Sequence, residues 1–228
     1  MSSAQARVKE RVAAAQIADS GQHEAQLLAE RREKVDRLRA AGIEPFQGKF
    51  HGRTPVAAVH EAHGDLTETG EHPDFRFRVA GRMTARREHG KTTFLDLIDG
   101  SGTIQLYARE DDVGEEAYGR IVALDVGDIV GADGCVYVTK RGELAIKVQE
   151  ATLLCKALRP PPEKFHGLSD VETRSRRREL DLMANQASRE VFVTRAKIIA
   201  AVRRFFDGEG FVEVETPVLQ PLYGGALA

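Results

Sequence analysis

The sequence predicts an α+β chain in which a five-stranded β-barrel is preceded by one helix and followed by helices and a single strand. Three observations lead there. Between Phe75 and Gln149 apolar residues recur at every second position, in segments broken by glycine-containing turns. The alternation is interrupted once, at Asp111–Leu124, where a helix or a loop separates the third strand from the fourth. Beyond the stiff stretch Leu158-Arg159-Pro160-Pro161-Pro162 the apolar period becomes helical.

The chain has 228 residues and a formal net charge of −2. That length suits one large or two modest domains. So small a net charge means that a nucleic-acid partner has to be met by a local basic face. No apolar run approaches the length of a membrane span, and Met1 is not followed by a signal-peptide pattern. Cys135 and Cys155 are the only cysteines, too few for a disulfide framework or a multi-cysteine zinc site, and Cys135 reads as a small core residue. A cytoplasmic protein without a membrane partner is expected.

Four segments are expected. Residues 1–23 form a tail rich in Ala, Gln, Ser and charge, in which Val8, Val12 and Ile17 are too sparse for a core. Residues 24–74 hold a helix and a connection. In the helix, from Glu24 to Ala41, Leu28, Val35 and Leu38 share one face with Leu27 beside them, and Gly42 stops it. Arg31, Arg32, Lys34, Arg37 and Arg39 make that helix basic, as a solvated face or as a contact for an RNA backbone. A short helix fits Val56–His63.

Residues 75–158 form the barrel. In Phe75–Arg86 the residues Phe75, Phe77, Val79 and Met83 alternate inward, which places Arg76, Arg78, Arg82 and Arg86 outside. After the turn at His89-Gly90-Lys91, a hairpin runs from Phe94 to Tyr107 around Asp99-Gly100-Ser101-Gly102. Pairing its arms sets Leu97 opposite Ile104 and Leu95 opposite Leu106 on one face. Phe94, Asp96, Gln105 and Tyr107 occupy the other, with Phe94 diagonal to Gln105, about 7–8 Å apart. Strands at Ile129–Thr139 and Glu143–Gln149 follow, the latter with Leu144, Ile146 and Val148 inward, joined by Lys140-Arg141-Gly142. Five strands with a helical connection between the third and fourth is the layout of an OB-fold; an open meander is the alternative. An aromatic ring beside arginines and an amide is what single-stranded RNA needs, since the ring stacks a base and guanidinium groups meet phosphates. The plain alternative is a half-buried hairpin with one exposed ring and a soluble arginine face.

Residues 159–228 are mostly helical. Ser169 with Glu172 forms a capping box for a helix over Asp170–Ala184, which carries Arg174, Arg176, Arg177 and Arg178. Ser188 is expected to cap a second helix, Arg189–Asp207, with a wide apolar stripe that includes Phe192, Ile199, Val202 and Phe206. Gly208 and Gly210 end it, and Val212–Leu219 reads as a strand interrupted by Pro217.

The run Gly210-Phe211-Val212-Glu213-Val214-Glu215-Thr216-Pro217-Val218-Leu219 resembles motif 1 of the class II aminoacyl-tRNA synthetases. Lys164-Phe165-His166-Gly167-Leu168 and Arg178-Glu179-Leu180-Asp181-Leu182 resemble the entry to the catalytic domain of the lysyl-tRNA synthetase family, and Leu158-Arg159-Pro160 and Arg141-Gly142-Glu143-Leu144 fit the same family. The resemblance covers residues 24–228 in order. It implies an anticodon-binding OB-fold followed by the first helices and strand of a class II catalytic domain. Aspartyl- and asparaginyl-tRNA synthetases share the architecture but match these segments less well.

By that resemblance Phe94 stacks an anticodon base, Gln105 and Glu143 read base edges, and Arg82 or Arg86 makes a further anticodon contact. Pro217, with Phe211 beside it, is similar to the motif 1 interface of a homodimer, and Gly224-Gly225 resembles the turn beside the bound lysine. Glu179 stands where the family has Tyr, and Tyr223 and Leu227 depart from its last segment. The implied reaction is ATP-dependent attachment of lysine to tRNA-Lys, with Mg2+. Motifs 2 and 3, which hold ATP, the metal and the lysine ammonium, do not occur in these 228 residues, so this chain alone is expected not to form lysyl-adenylate and to contain no catalytic or metal-binding residue. A tRNA-binding module without catalysis and a dimerisation protein built on Arg189–Leu219 are the alternatives.

Overall fold

The computed structural model describes residues 22, 24–161 and 170–217. The expected tail apart from residue 22, the Lys164–Leu168 segment, Ser169, Val218, Leu219, Gly224 and Gly225 lie outside the described residues. The chain divides into two compact units between Pro160 and Pro161.

In the first unit, helix α1 spans 24–40 and α2 spans Val56–His63. Strands β1 (Gly70–His89), β2 (Thr92–Ile98) and β3 (Thr103–Arg109) follow, then helices α3 (Glu110–Val113) and α4 (Glu115–Val122), and strands β4 (Ile129–Val138) and β5 (Leu144–Cys155). The strands close into a barrel in the order β1-β2-β3-β5-β4. All pairs are antiparallel except β3 with β5. Closure leaves no open edge to template association, so the meander is excluded. The expected barrel strands recur, all longer except the fourth, which ends one residue earlier at Val138, and Asp111–Leu124 is resolved as two short helices.

Alternation sets the core. Val79 and Met83 of β1, Leu95 and Leu97 of β2, Ile104 and Leu106 of β3, Val130 of β4 and Ile146 and Val148 of β5 are buried together. Val56 and Val59 of α2 and Ile121 of α4 complete it. The hairpin turn caps α2 from outside the helix: Asp99 Oδ2 accepts from Val56 N at 3.0 Å and Ser101 Oγ from Ala57 N at 3.0 Å. Asp99 Oδ1 also accepts from Ser101 N and Gly102 N, at 2.7 and 2.9 Å, which shapes the turn itself. Pro55, at the cap position of α2, has no side-chain oxygen to do this. Phe75 departs from expectation. It is exposed and stacked on His63 at 4.2 Å rather than turned inward, because it lies in the irregularity between His72 and Arg76 where the β1–β4 register shifts.

Helix α1 is fastened by charge. Arg31, buried, donates to the carbonyls of Ala157 (2.7 Å) and Val126 (3.1 Å). Lys34 Nζ meets Asp125 at 2.6 Å. Lys156, also buried, bridges Asp125 and Asp128 at 2.6 Å each. Burial opposes ionisation of Asp125, but the hydrogen bonds from Lys156 and Lys34 outweigh it and hold the carboxyl below its ordinary range. Two of the five basic residues of α1 are therefore structural; Arg32, Arg37 and Arg39 remain exposed.

In the second unit the helix expected over Asp170–Ala184 is two, α5 (Val171–Arg176) and α6 (Arg178–Ala184), broken at Arg177 where φ is −115° and ψ 56°. Asp170 caps the first, accepting from Thr173 N at 2.7 Å. Asn185, not Ser188, caps α7 (Gln186–Gly208) and accepts from Ser188 N. Ser188 is occupied otherwise: its hydroxyl accepts from Arg174, which with Arg178 also grips the fully buried Asp181 at 2.8 and 2.6 Å. No residue of α7 is buried, and Ile198, Val202, Phe205 and Phe206 are among its exposed apolar residues. Residues 211–217 form no strand, because none of the described residues offers them a partner ladder.

Candidate nucleic-acid interface

The outer face of the hairpin has the expected register. Phe94 pairs with Tyr107, Asp96 with Gln105, Leu95 with Leu106 and Leu97 with Ile104. Phe94 and Gln105 are therefore diagonal neighbours on one face. The Phe94 and Tyr107 rings lie 5.2 Å apart with a 32° tilt, and Tyr107 stacks on Tyr137 of β4 at 4.6 Å, across β5. Burial pushes the Tyr107 phenol above its ordinary range, so the ring stays neutral. Three aromatic rings thus form a row, of which Phe94 is the outermost and half-buried.

The arginines diverge from expectation. Met83 pairs with Leu97 but Ala85 pairs with Asp96, so β1 carries a bulge between them. One extra residue reverses which face each later side chain occupies. Arg86 consequently pairs with inward-facing Leu95, and Arg87 pairs with Phe94 on the outer face. Arg86 donates to the carbonyls of Val122 and of Leu124, the latter at 2.5 Å, and so covers free carbonyls at the C-terminal end of α4. Its Nε also meets Glu88 at 2.9 Å. Arg82 precedes the bulge and keeps the outer parity; it donates to Gly127 O at 2.8 Å. Arg76 bonds Gln149, and Arg78 lies 4.0 Å over the Phe50 ring and 3.5 Å from Asp133. The structure thus does not bring the expected stripe of four arginines together with Phe94. It brings Arg87 there instead.

Arg87, Asp96 and Gln105 are linked. Asp96 Oδ1 accepts from Arg87 Nη2 at 2.9 Å and from Gln105 Nε2 at 3.3 Å. Asp96 is mostly covered, with 16% of its side chain exposed, whereas Arg87 is 52% exposed. Glu143 is exposed in the turn between β4 and β5, where its N–H donates to Thr139 Oγ1 at 3.0 Å. It lies two residues before Ala145, the β5 partner of Gln105, and so shares the outward parity of that strand. Alternation alone could have marked Tyr137, four residues beyond Asp133 on β4; Arg87 had no sequence signal, because only the bulge places it.

None of these residues lines the cavity of about 490 Å³ between α1, α4 and β5, whose walls include Leu38, Ile121 and Leu153. Among the described residues no group of three or more His, Cys, Asp or Glu side chains is placed to hold a metal ion. None of their helices is long and apolar enough to cross a membrane. In the second unit, Phe211 and Pro217 of the motif 1 segment are both exposed.

Comparison with known proteins agrees with this layout. The family model of the OB-fold nucleic acid binding domain matches residues 77–154, which is the barrel. That of the class II tRNA synthetases (D, K and N) matches residues 170–228. The chain is 48% identical over 202 residues, 89% of its length, to a lysine–tRNA ligase of Moorella thermoacetica, of which it covers 40%. It is 50% identical over 87% of its length to that of Lactococcus lactis subsp. lactis, again covering 40%. To that of Thioalkalivibrio sulfidiphilus it is 46% identical over 92% of its length, covering 42%. The chain therefore spans about 40% of the length of the curated relatives it matches. A nucleic-acid-binding barrel and a segment of the class II tRNA synthetases (D, K and N) are matched in sequence order, and the relatives to which the chain is similar at about half identity are lysine–tRNA ligases.

Proposed function

We propose that the barrel binds the anticodon loop of tRNA-Lys, as part of a cytoplasmic lysine–tRNA ligase that joins lysine to its tRNA at the expense of ATP. The observation that carries this reading is the outer face of β2 and β3, where the half-buried Phe94 ring lies diagonal to the Gln105 amide on a closed barrel. One flat base fits over the ring while the amide meets its edge, which is how single-stranded RNA is read. Glu143 supplies a second edge-reading group at the adjoining turn. Arg87 supplies a cationic group beside the ring, whereas Arg82 and Arg86, tied to backbone carbonyls, carry an anticodon role through resemblance alone.

Exposed apolar residues along α7, with Phe211 and Pro217, support a homodimer through the motif 1 segment. Gly224 and Gly225 carry the lysine-side role through resemblance alone. ATP and Mg2+ are proposed for the whole ligase, and no catalytic step is assigned to the residues of this chain. Titrating the 228-residue chain with labelled stem-loops carrying the lysine anticodon or altered anticodons tests the reading. Preference for the lysine anticodon is expected, lost with Phe94→Ala and Gln105→Ala. Equal affinity for every loop would refute it.

A further inference from the structure

We propose that Asp96 sets base specificity at this face by fixing which end of the Gln105 amide meets the base. The inference rests on the anticodon-reading role proposed above for Gln105. A glutamine amide offers a carbonyl oxygen on one side and an NH2 group on the other, and rotation by half a turn exchanges them. Alone, such a residue can satisfy either a donor or an acceptor on a base and discriminates poorly between them. Here the exchange is blocked by chemistry. Asp96 Oδ1 lies 3.3 Å from the Gln105 terminus and 2.9 Å from Arg87 Nη2. The carboxylate accepts from the Arg87 guanidinium on the same oxygen, and a carboxylate oxygen only accepts. The Gln105 end facing it must be the NH2 group. A flipped amide would set two acceptor oxygens against each other.

The consequence is directional. With one Nε2 hydrogen committed to Asp96 the amide cannot turn, so Gln105 Oε1 keeps a fixed side. From there it accepts from an incoming base stacked on Phe94, while the second Nε2 hydrogen stays available to a neighbouring base oxygen. An acceptor there favours a base carrying an N–H on its Watson–Crick edge. Among pyrimidines that is uracil, whose N3 carries hydrogen, over cytosine, whose N3 is an acceptor. Asp96 also neutralises Arg87 beside the ring. The same carboxylate thus restrains a cation that would otherwise bind any phosphate, and trades general affinity for selectivity. Asp96 touches no base in this scheme; it is a positioning residue.

The test is a double-mutant cycle on the full 228-residue chain, using two anticodon stem-loops that differ by uracil or cytosine at one anticodon position at a time. Wild type is expected to prefer uracil at one position. Asp96→Ala is expected to reduce that preference by about two- to tenfold, the range of one net hydrogen bond. At the same time it should raise affinity for both loops and steepen their salt dependence, as Arg87 is freed to meet a phosphate. Asp96→Asn, which keeps the shape and stability of the site but can present either a donor or an acceptor, should lower the preference as well. In a Gln105→Ala background, Asp96→Ala should leave the ratio unchanged. A merely structural role would weaken both loops alike and leave the ratio as it was. If Gln105→Ala abolishes the preference but Asp96→Ala and Asp96→Asn do not, Asp96 does not orient the amide and the proposal falls alone. If Gln105→Ala leaves the preference intact, the base-reading role of Gln105 falls and the proposal with it.

Discussion

Removing the Phe94 ring separates a binding platform from a core residue, and the structure sets the two magnitudes apart. The ring is half-buried and its recorded aromatic neighbour is Tyr107, 5.2 Å away. A cross-strand aromatic pair contributes about 0.5–1.5 kcal/mol beyond area burial. Adding the burial of part of the ring, Phe94→Ala should cost about 1–2.5 kcal/mol of stability. Its neighbour Leu95 is fully buried on the opposite face, and Leu95→Ala should cost about 2–5 kcal/mol through lost burial and the cavity left behind. For binding the order inverts. Base stacking on an aromatic side chain amounts to about 1–3 kcal/mol, so Phe94→Ala should weaken an anticodon stem-loop roughly five- to 150-fold. The folded fraction of Leu95→Ala should bind almost normally. Urea denaturation followed by far-UV circular dichroism reads the first quantity, and titration of a fluorescent stem-loop at two salt concentrations reads the second. The salt slope should not change in Phe94→Ala, because a phenyl ring displaces no counterion. A Phe94→Ala protein that loses 3 kcal/mol or more of stability, on the scale of a buried phenylalanine, yet binds the loop normally when folded, would refute the assignment of this face.

Lys156→Met should destabilise the barrel by about 3–5 kcal/mol in urea unfolding, because it leaves the fully buried Asp128 without its ammonium partner. Asp99→Ala removes the oxygens that cap α2 and brace the hairpin turn, and should cost about 0.5–2 kcal/mol; hydrogen exchange at the Val56 amide should speed up first. The folded state holds the Asp125 carboxyl below its ordinary 3.8, so the native protein binds fewer protons than the unfolded chain as the pH falls toward that value. The stability from this group is complete above about pH 5 and lost progressively as the pH drops through 3.8 and the folded pKa below it, and Asp125→Asn should flatten that part of a urea-midpoint profile. Gly134→Ala should destabilise by about 1–3 kcal/mol, since its new methyl would collide with the carbonyl of Lys147 on the neighbouring strand; an unchanged unfolding midpoint would show that β4 and β5 can part there.

The sequence by itself determined the register of the central hairpin, which depends only on local period. Alternation placed Leu95, Leu97, Ile104 and Leu106 inside and Phe94 diagonal to Gln105 outside, because a two-residue repeat around a four-residue turn admits one register with an apolar face. The order of strands around a single helical break likewise identified the barrel. Tertiary structure decided whatever depends on a partner far along the chain. The bulge between Met83 and Ala85 leaves no mark in the pattern, yet it exchanges Arg86 for Arg87 beside Phe94. Arg31 and Lys34 look like any solvated basic run until α1 meets Val126, Ala157 and Asp125, roughly a hundred residues away in the chain. At the helix starts, Asp170 and Asn185 took the capping sites expected of Ser169 and Ser188, and Ser188 was drawn instead into the grip on Asp181, a choice between chemically similar side chains that only the surrounding packing could make.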